Sequence, residues 1–221
     1  MNYIIITKKK WDVNNFKNLN KKIKVFKKLD KYRINNINPK IIFFIHWSEL
    51  IPKDLYQKYM CIQFHATDLP KGRGGSPIQN QILRNIKKTK ISAFRVKKEL
   101  DSGPICMKQN FFLNGNAESI MKKMELKSIS MIEKLIKRKN IKFRKQGGKP
   151  TFFNRRKPQE SEIDLSQIKT INKMYDFLRM LDAPGYPNAF IKLKEFEITF
   201  NDIEKKKSMI NARVRITINE K

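Results

Sequence analysis

An α/β fold is predicted: an open, mostly parallel sheet flanked by helices, with a small C-terminal helix-plus-antiparallel-β appendage. Three observations predict it. Short β-branched runs alternate with amphipathic stretches over about residues 1–150, the pattern of a sheet buried on both faces. The stretch Lys145–Pro158 (KQGGKPTFFNRRKP) is rich in Gly, Pro and basic residues and reads as a linker, dividing the chain into 1–148 and 149–221. Beyond it, one helical run precedes three alternating ones. With 221 residues, 40% of them apolar, the chain can bury a real core.

The elements follow in order. Tyr3–Ile6 reads as a buried parallel strand, Ile23–Phe26 as a second and Ile41–Ile45 as the clearest of the three. Pro52–Tyr59 is a short helical stretch, and Cys61–Phe64 is a strand that ends at His65. The loop Ala66–Gly75 carries Pro70, Gly72, Gly74 and Gly75. A helix then starts with Ser76 as N-cap, Pro77 at its first position and Gln79 completing a capping box. Ile78, Ile82, Leu83 and Ile86 form its apolar face. Ile91–Val96 is a strand, Lys97–Gly103 a loop containing Asp101, and Pro104–Met107 an extended segment. Glu118–Lys139 is a long amphipathic helix whose methionines are core filler. Ser166–Leu181 is another helix, stopped by Asp182-Ala183-Pro184-Gly185. Ala189–Leu193, Phe196–Phe200 and Ala212–Ile218 alternate like antiparallel strands.

Composition excludes several functions. The net charge is +29, from 38 Lys and 11 Arg against 20 acids. The lysines are spread along the chain with Asn and Ile, whereas a nucleic-acid face clusters Arg beside aromatics. Compositional drift therefore accounts for the charge, and nucleic acid is expected only through nonspecific attraction. Two cysteines, Cys61 and Cys106, two histidines and no CxxC leave no metal site. The thiols are expected to be reduced and buried, as in a cytoplasmic protein. Four apolar residues at Tyr3–Ile6 are too few for a signal peptide, and no apolar run spans a membrane.

The segment Cys61–Pro77 (CIQFHATDLPKGRGGSP) carries the chemistry. A strand puts Gln63 and His65 on one face. Histidine is the side chain suited to shuttling a proton near neutral pH or donating to an oxyanion. The glycines that follow fit neither a phosphate-binding P-loop nor a dinucleotide fingerprint. Thr7 and His46 also end strands, where each could touch a substrate or simply bond to nearby backbone.

The string His65-Ala66-Thr67-Asp68-Leu69-Pro70-Lys71-Gly72-Arg73-Gly74-Gly75-Ser76-Pro77 resembles the HxSLLPxxRGxxP signature of the folate-dependent formyltransferases. Glu99-Leu100-Asp101-Ser102-Gly103-Pro104-Ile105 resembles their second signature, ELDxGPI. The likeness is greatest to the short sugar N-formyltransferases of bacterial surface-glycan pathways, including those that modify pseudaminic-acid precursors. It is carried by His46-Trp47-Ser48, Phe64–Pro77, Pro150–Pro158 and Tyr186-Pro187-Asn188-Ala189-Phe190.

That resemblance implies a formyltransferase-type, Rossmann-like sheet and a cytoplasmic enzyme. It would move a formyl group from 10-formyltetrahydrofolate to the amine of a nucleotide-linked amino-dideoxy sugar. It implies His65 as oxyanion donor and Asp101 as the group that orients it. Gln63 stands where the family usually has Asn, one methylene or about 1.5 Å longer. The folate is expected among Trp47, Ser48, Glu49 and Leu50, the loop Thr67, Asp68, Leu69 and Pro70, and Val96. The nucleotide sugar is expected near Thr7, His46, Arg73, Gly74, Arg155, Arg156, Tyr186 and Asn188. A homodimer is compatible with this reading. The alternatives are a formyltransferase for methionyl-tRNA or glycinamide ribonucleotide, or an inactive nucleic-acid-binding relative.

Overall fold

The computed structural model describes residues 2–218. Six strands build the main sheet in the order β2-β1-β3-β4-β6-β7. They are β1 (Tyr3–Ile6), β2 (Ile23–Phe26), β3 (Ile41–Phe44), β4 (Met60–His65), β6 (Lys88–Arg95) and β7 (Ile105–Phe112). The pairs among β1 to β4 are parallel, while β6 runs antiparallel to both β4 and β7. Between them lie α1 (Lys31–Ile37), α2 (Lys53–Lys58), the two-residue β5 (Arg73–Gly74) and α3 (Pro77–Leu83). The rest comprises α4 (Ala117–Ile136), β8 (Phe152–Phe153), α5 (Ile171–Arg179), β9 (Ala189–Lys192), β10 (Phe196–Lys206) and β11 (Met209–Ile218). The last three strands form an antiparallel sheet in the order β11-β10-β9. This is the α/β architecture expected, with its antiparallel appendage.

Strand alternation sorts the core onto two faces. Tyr3, Ile5, Ile41, Phe43, Ile62 and Phe64 meet α4, α3 and the C-terminal region on one side. Ile4, Ile6, Ile42, Phe44 and Cys61 meet Ile34 of α1 and Leu55 of α2 on the other. Gln63 and His65 follow Cys61 at intervals of two, so they emerge on this second face, at the end of β4.

The tail is locked to the sheet by two buried charged residues. Asp182, seen in sequence only as part of a helix stop, accepts from Asp202 N, Ile203 N and Asn116 Nδ2. Arg179 donates to the carbonyls of Leu113 and Gly115. Each bond to a charged group is worth about 1.5–3 kcal/mol, so these fix the start of α4 against the appendage. Among the described residues no helix is long and apolar enough to cross a membrane.

Several local expectations fail for identifiable reasons. Ser76 is no N-cap: it sits at φ 44°, makes no capping bond, and its hydroxyl accepts from Arg156 N. The helix expected from Ser166 starts only at Ile171, because Asp164 captures Ser166 N and Oγ and Thr170 supplies the cap. Helix α1, unseen in the sequence, is set by Asp30, whose carboxylate accepts from Arg33 N.

Candidate active site

One deep cleft, of about 1200 Å³, opens between the sheet, the loops after β3 and β6, and the C-terminal region. His65, 6% exposed, sits on its floor. Its Nε2 is 2.8 Å from the carbonyl oxygen of Gly72. A carbonyl only accepts, so Nε2 carries a proton, and Nδ1 is the ring nitrogen left without that commitment. Nδ1 faces Asp101 Oδ2 at 3.7 Å. The Asp101 carboxylate is buried and held in turn by Gly74 N, which donates to Oδ2 at 2.8 Å. The expected pair, 36 residues apart in sequence, therefore converges. With Nε2 committed to Gly72 O, Nδ1 is the ring nitrogen available to a substrate.

Backbone strain marks the same place. Asp101 lies at φ 49°, His46 at φ 51° and Gly74 at φ 103°. Positive φ on a non-glycine residue is unfavourable and persists where surrounding bonds impose it. For Asp101 those bonds come from Gln146, whose Nε2 donates to the carbonyls of Asp101 (2.7 Å) and Gly103 (2.8 Å). Gln146 Oε1 accepts both Arg73 Nε and Nη2. The 145–158 stretch is thus no free linker. Gly72 N donates to Thr151 Oγ1, Gly75 N to Phe153 O, and β5 pairs with β8. The segment buckles the glycine loop and the Asp101 loop together.

Thirteen of the expected residues line the cleft. Gln63, Trp47, Ser48, Glu49, Leu50 and Val96 line it with His65 and Asp101. His46, Gly74, Arg155, Arg156 and Tyr186 also line it. Gln63 Nε2 makes only a long 3.4 Å contact with Trp47 O, and Trp47 Nε1 is buried with no partner. Arg155 Nη2 donates to Ser48 O at 2.9 Å, joining the tail to the loop after β3. Arg156 is half-buried, bound to Glu160, and its Nε has no partner.

Seven expected residues do not line the cleft. Thr7 is buried and bonds to the carbonyl of Lys9, the local backbone role. Thr67, Leu69 and Pro70 shape the loop from inside: Leu69 is fully buried and Ser92 Oγ ties Thr67 O to Leu69 N. Asp68 pairs with Lys90 and Lys108 on the far strands, and Arg73 is spent on Gln146. Asn188 stays outside the lining.

Sequence reasoning missed Trp11. Its ring packs on His46 (centroids 6.1 Å) and Tyr186 (5.8 Å), with the Lys9 ammonium 4.2 Å above it. The loop that carries it is clamped by Glu125 of α4, a fully buried carboxylate that accepts from Trp11 N, Asp12 N and Asn15 Nδ2. Burial lowers the His46 pKa to about 4, so its ring is neutral. Burial also pushes the Tyr186 phenol up, and drives Cys61 and Cys106 up to about 12, leaving two inert thiols.

A buried imidazole–carboxylate pair at a strand end, braced by a glycine loop on the floor of a cleft, is an arrangement suited to proton transfer at a bound carbonyl. The sequence profile described as "Formyl transferase" matches residues 7–131, and the chain belongs to the formyltransferase family. A second profile, described as "Methionyl-tRNA formyltransferase, C-terminal domain", matches residues 158–217. The chain is 30% identical to the methionyl-tRNA formyltransferase of Caldicellulosiruptor saccharolyticus over 75% of its length and 56% of that protein's. It spans about half the length of the curated relatives it matches in this way. A solved structure of a methionyl-tRNA formyltransferase from Clostridium thermocellum superposes with a TM-score of 0.92 at 41% identity, covering 99% of this chain and 100% of that one. A 4-N formyltransferase from Francisella tularensis shares the fold, with a TM-score of 0.66 at 19% identity over 87% and 93% of the two chains.

Proposed function

We propose that this chain transfers the formyl group of 10-formyltetrahydrofolate to a primary amine, and that a nucleotide-linked amino-dideoxy sugar carries that amine. The observation that carries the reading is the His65–Asp101 pair on the floor of a cleft whose lining includes Trp47, Leu50 and Val96 as well as Tyr186, Arg155 and Arg156. Trp47, Ser48, Glu49, Leu50 and Val96 would hold the folate. The slot fits it: the buried, unpartnered indole N–H of Trp47 is a donor that a heterocycle's acceptor would satisfy. When bound, the folate supplies a formyl carbon on nitrogen.

His65 moves the proton. The lone pair on Nδ1 takes it from the amine as the new nitrogen–carbon bond forms. The Asp101 carboxylate stabilises the imidazolium, and Gly74 N–H keeps that carboxylate in place. Nδ1–H then returns the proton to the departing folate nitrogen as the old bond breaks, so no proton is gained or lost overall. Gln63 Nε2, weakly engaged with Trp47 O, is free to donate to the oxygen that becomes negative. One such donor is worth about 3 kcal/mol of barrier.

The division at 148/149 then has a functional sense. Residues 1–148 hold the donor and the reacting groups, and 149–221 supply Arg155, Arg156 and Tyr186 to the acceptor wall. Both arginines and Tyr186 fall within the Pro150–Pro158 and Tyr186–Phe190 strings that resemble sugar N-formyltransferases, which supports the sugar acceptor. Methionyl-tRNA is the second reading. It is favoured by the profile over 158–217, by the names of the relatives and by a charge of +29 that suits a polyanion.

Tetrahydrofolate release with a panel of acceptors separates the two. Turnover confined to dideoxy-aminosugar nucleotides is expected, and turnover confined to charged tRNA would replace the sugar reading. No turnover with any acceptor, together with tight salt-dependent RNA binding, would refute the enzymatic reading altogether.

A further inference from the structure

Gln146 lies outside both signature-like strings and outside the cleft lining, yet every hydrogen-bonding position of its amide is filled around Asp101. Nε2 donates to the carbonyls of Asp101 and Gly103 at 2.7 and 2.8 Å, and Oε1 accepts Arg73 Nε and Nη2 at 3.2 and 2.8 Å. Carbonyls only accept and a guanidinium only donates, so the amide has one workable orientation. A carboxylate could serve Arg73 but would oppose the two carbonyls, and an apolar side chain of the same length could serve neither.

Main-chain pairing anchors Gln146 from both directions. Two residues earlier, Arg144 exchanges backbone hydrogen bonds of 2.8 and 2.9 Å with Ile105 at the start of β7. Further on, Phe152 of β8 pairs with Arg73 of β5. The amide therefore reaches the Asp101 loop from a fixed backbone. The loop itself is tight: Asp101 lies at φ 49°, and a Cβ on Gly103 would lie 1.6 Å from the carbonyl oxygen of Arg95. Two arms aim the Asp101 carboxylate, its own backbone and the Gly74 N–H that it accepts. Gln146 holds the first directly and the second through Arg73, the residue before Gly74. We infer that Gln146 is a positioning residue for the His65–Asp101 pair, keeping Asp101 in the left-handed conformation from which its carboxylate meets both His65 and Gly74. The inference rests on the formyl-transfer reading of that pair.

Two variants test it. Gln146→Met removes all four hydrogen bonds at similar length, and Gln146→Glu keeps an acceptor for Arg73 while removing the donors to the two carbonyls. With a dideoxy-aminosugar nucleotide as acceptor, each should lower kcat for tetrahydrofolate release by at least about thirtyfold, because small misplacements of reacting groups are costly. Tetrahydrofolate affinity, read by quenching of tryptophan fluorescence, should stay within about threefold. Added to Asp101→Asn, Gln146→Met should cost less than about twofold more, since a residue acting through Asp101 has nothing left to position. Amide exchange followed by NMR gives a readout without turnover. The Gly74 N–H should exchange at least about tenfold faster in Gln146→Met, while the Gly75 N–H, bonded to Phe153 O, should change by less than about threefold. Lys145→Ala, exposed and outside the cleft lining, should leave every readout unchanged. Wild-type kcat in either variant, unchanged Gly74 exchange, or a full additive loss on top of Asp101→Asn would overturn the inference. Failure of both variants to fold would overturn it too, by making Gln146 a structural residue. No turnover by the wild type with that acceptor would refute the sugar reading beneath it, and Gly74 exchange would still decide the positioning role.

Discussion

Replacing Gly74 by Ala should disable the site while sparing most of the fold. Gly74 sits at φ 103°, where any side chain is strained, and an added Cβ would land on the carbonyl oxygen of Phe153. The first effect costs about 1–3 kcal/mol. The second pushes β5 off β8, so the Gly74 N–H can no longer reach Asp101 Oδ2 at 2.8 Å. A hydrogen bond to a charged group is worth about 1.5–3 kcal/mol, and its loss leaves a buried carboxylate less held. Together these give a destabilisation of about 3–5 kcal/mol and a misoriented Asp101. Urea unfolding followed by circular dichroism reads the first, and tetrahydrofolate release at saturating substrates reads the second, with a drop of at least about a hundredfold expected. Gly147→Ala is the control, because nothing lies within 4 Å of a Cβ there. It should be neutral or stabilising by about 0.5 kcal/mol through the unfolded chain. A Gly74→Ala protein with wild-type stability and turnover would refute the argument that this loop aims Asp101.

Three further outcomes follow from the same geometry. His65→Ala and Asp101→Asn should each lower kcat by at least about a hundredfold with little change in folate affinity, measured by steady-state kinetics beside direct binding. Near-full activity in either would remove that residue from its role. His46 has a folded pKa of about 4, below its ordinary 6.5, so the folded protein binds fewer protons than the unfolded chain between those values. Stability from this group is complete above pH 6.5 and is lost as pH falls, by about 2 kcal/mol at pH 5. Denaturant unfolding at pH 5 and 7.5 should show that loss in the wild type and not in His46→Asn, a substitution that tolerates positive φ. Glu125→Ala should cost about 3 kcal/mol by stranding three donors, and should raise the acceptor KM more than it lowers kcat, because it frees the Trp11 loop. An unchanged acceptor KM would detach Trp11 from acceptor binding.

Much of this was legible in the sequence, and the exceptions share a cause. The parallel strands were readable because each is a short β-branched run buried on both faces, as in Tyr3–Ile6 and Ile41–Phe44. His65 and Asp101 were readable because each lies in a dense local string. What could not be read were partnerships between distant segments. Ser76 has the composition of an N-cap, but Arg156 claims its hydroxyl. The 145–158 stretch has the composition of a linker, but its polar groups are bonded to the loops around Asp101 and Gly72. Thr67 and Leu69 sit in the motif, yet they turn inward and build the loop, while Asp68 turns to Lys90 and Lys108 instead of the cleft. Trp11 had no local signal at all, since it acquires meaning only from Glu125, more than a hundred residues away.

The most direct test follows a ¹³C-labelled formyl carbon by NMR as the donor is mixed with protein and a nucleotide-linked 4-amino-4,6-dideoxy sugar. Appearance of the sugar's formamide resonance with the wild type, and its absence with His65→Ala, is the predicted result. A label that stays on the folate, or that moves equally fast without the imidazole, would contradict the account at its centre.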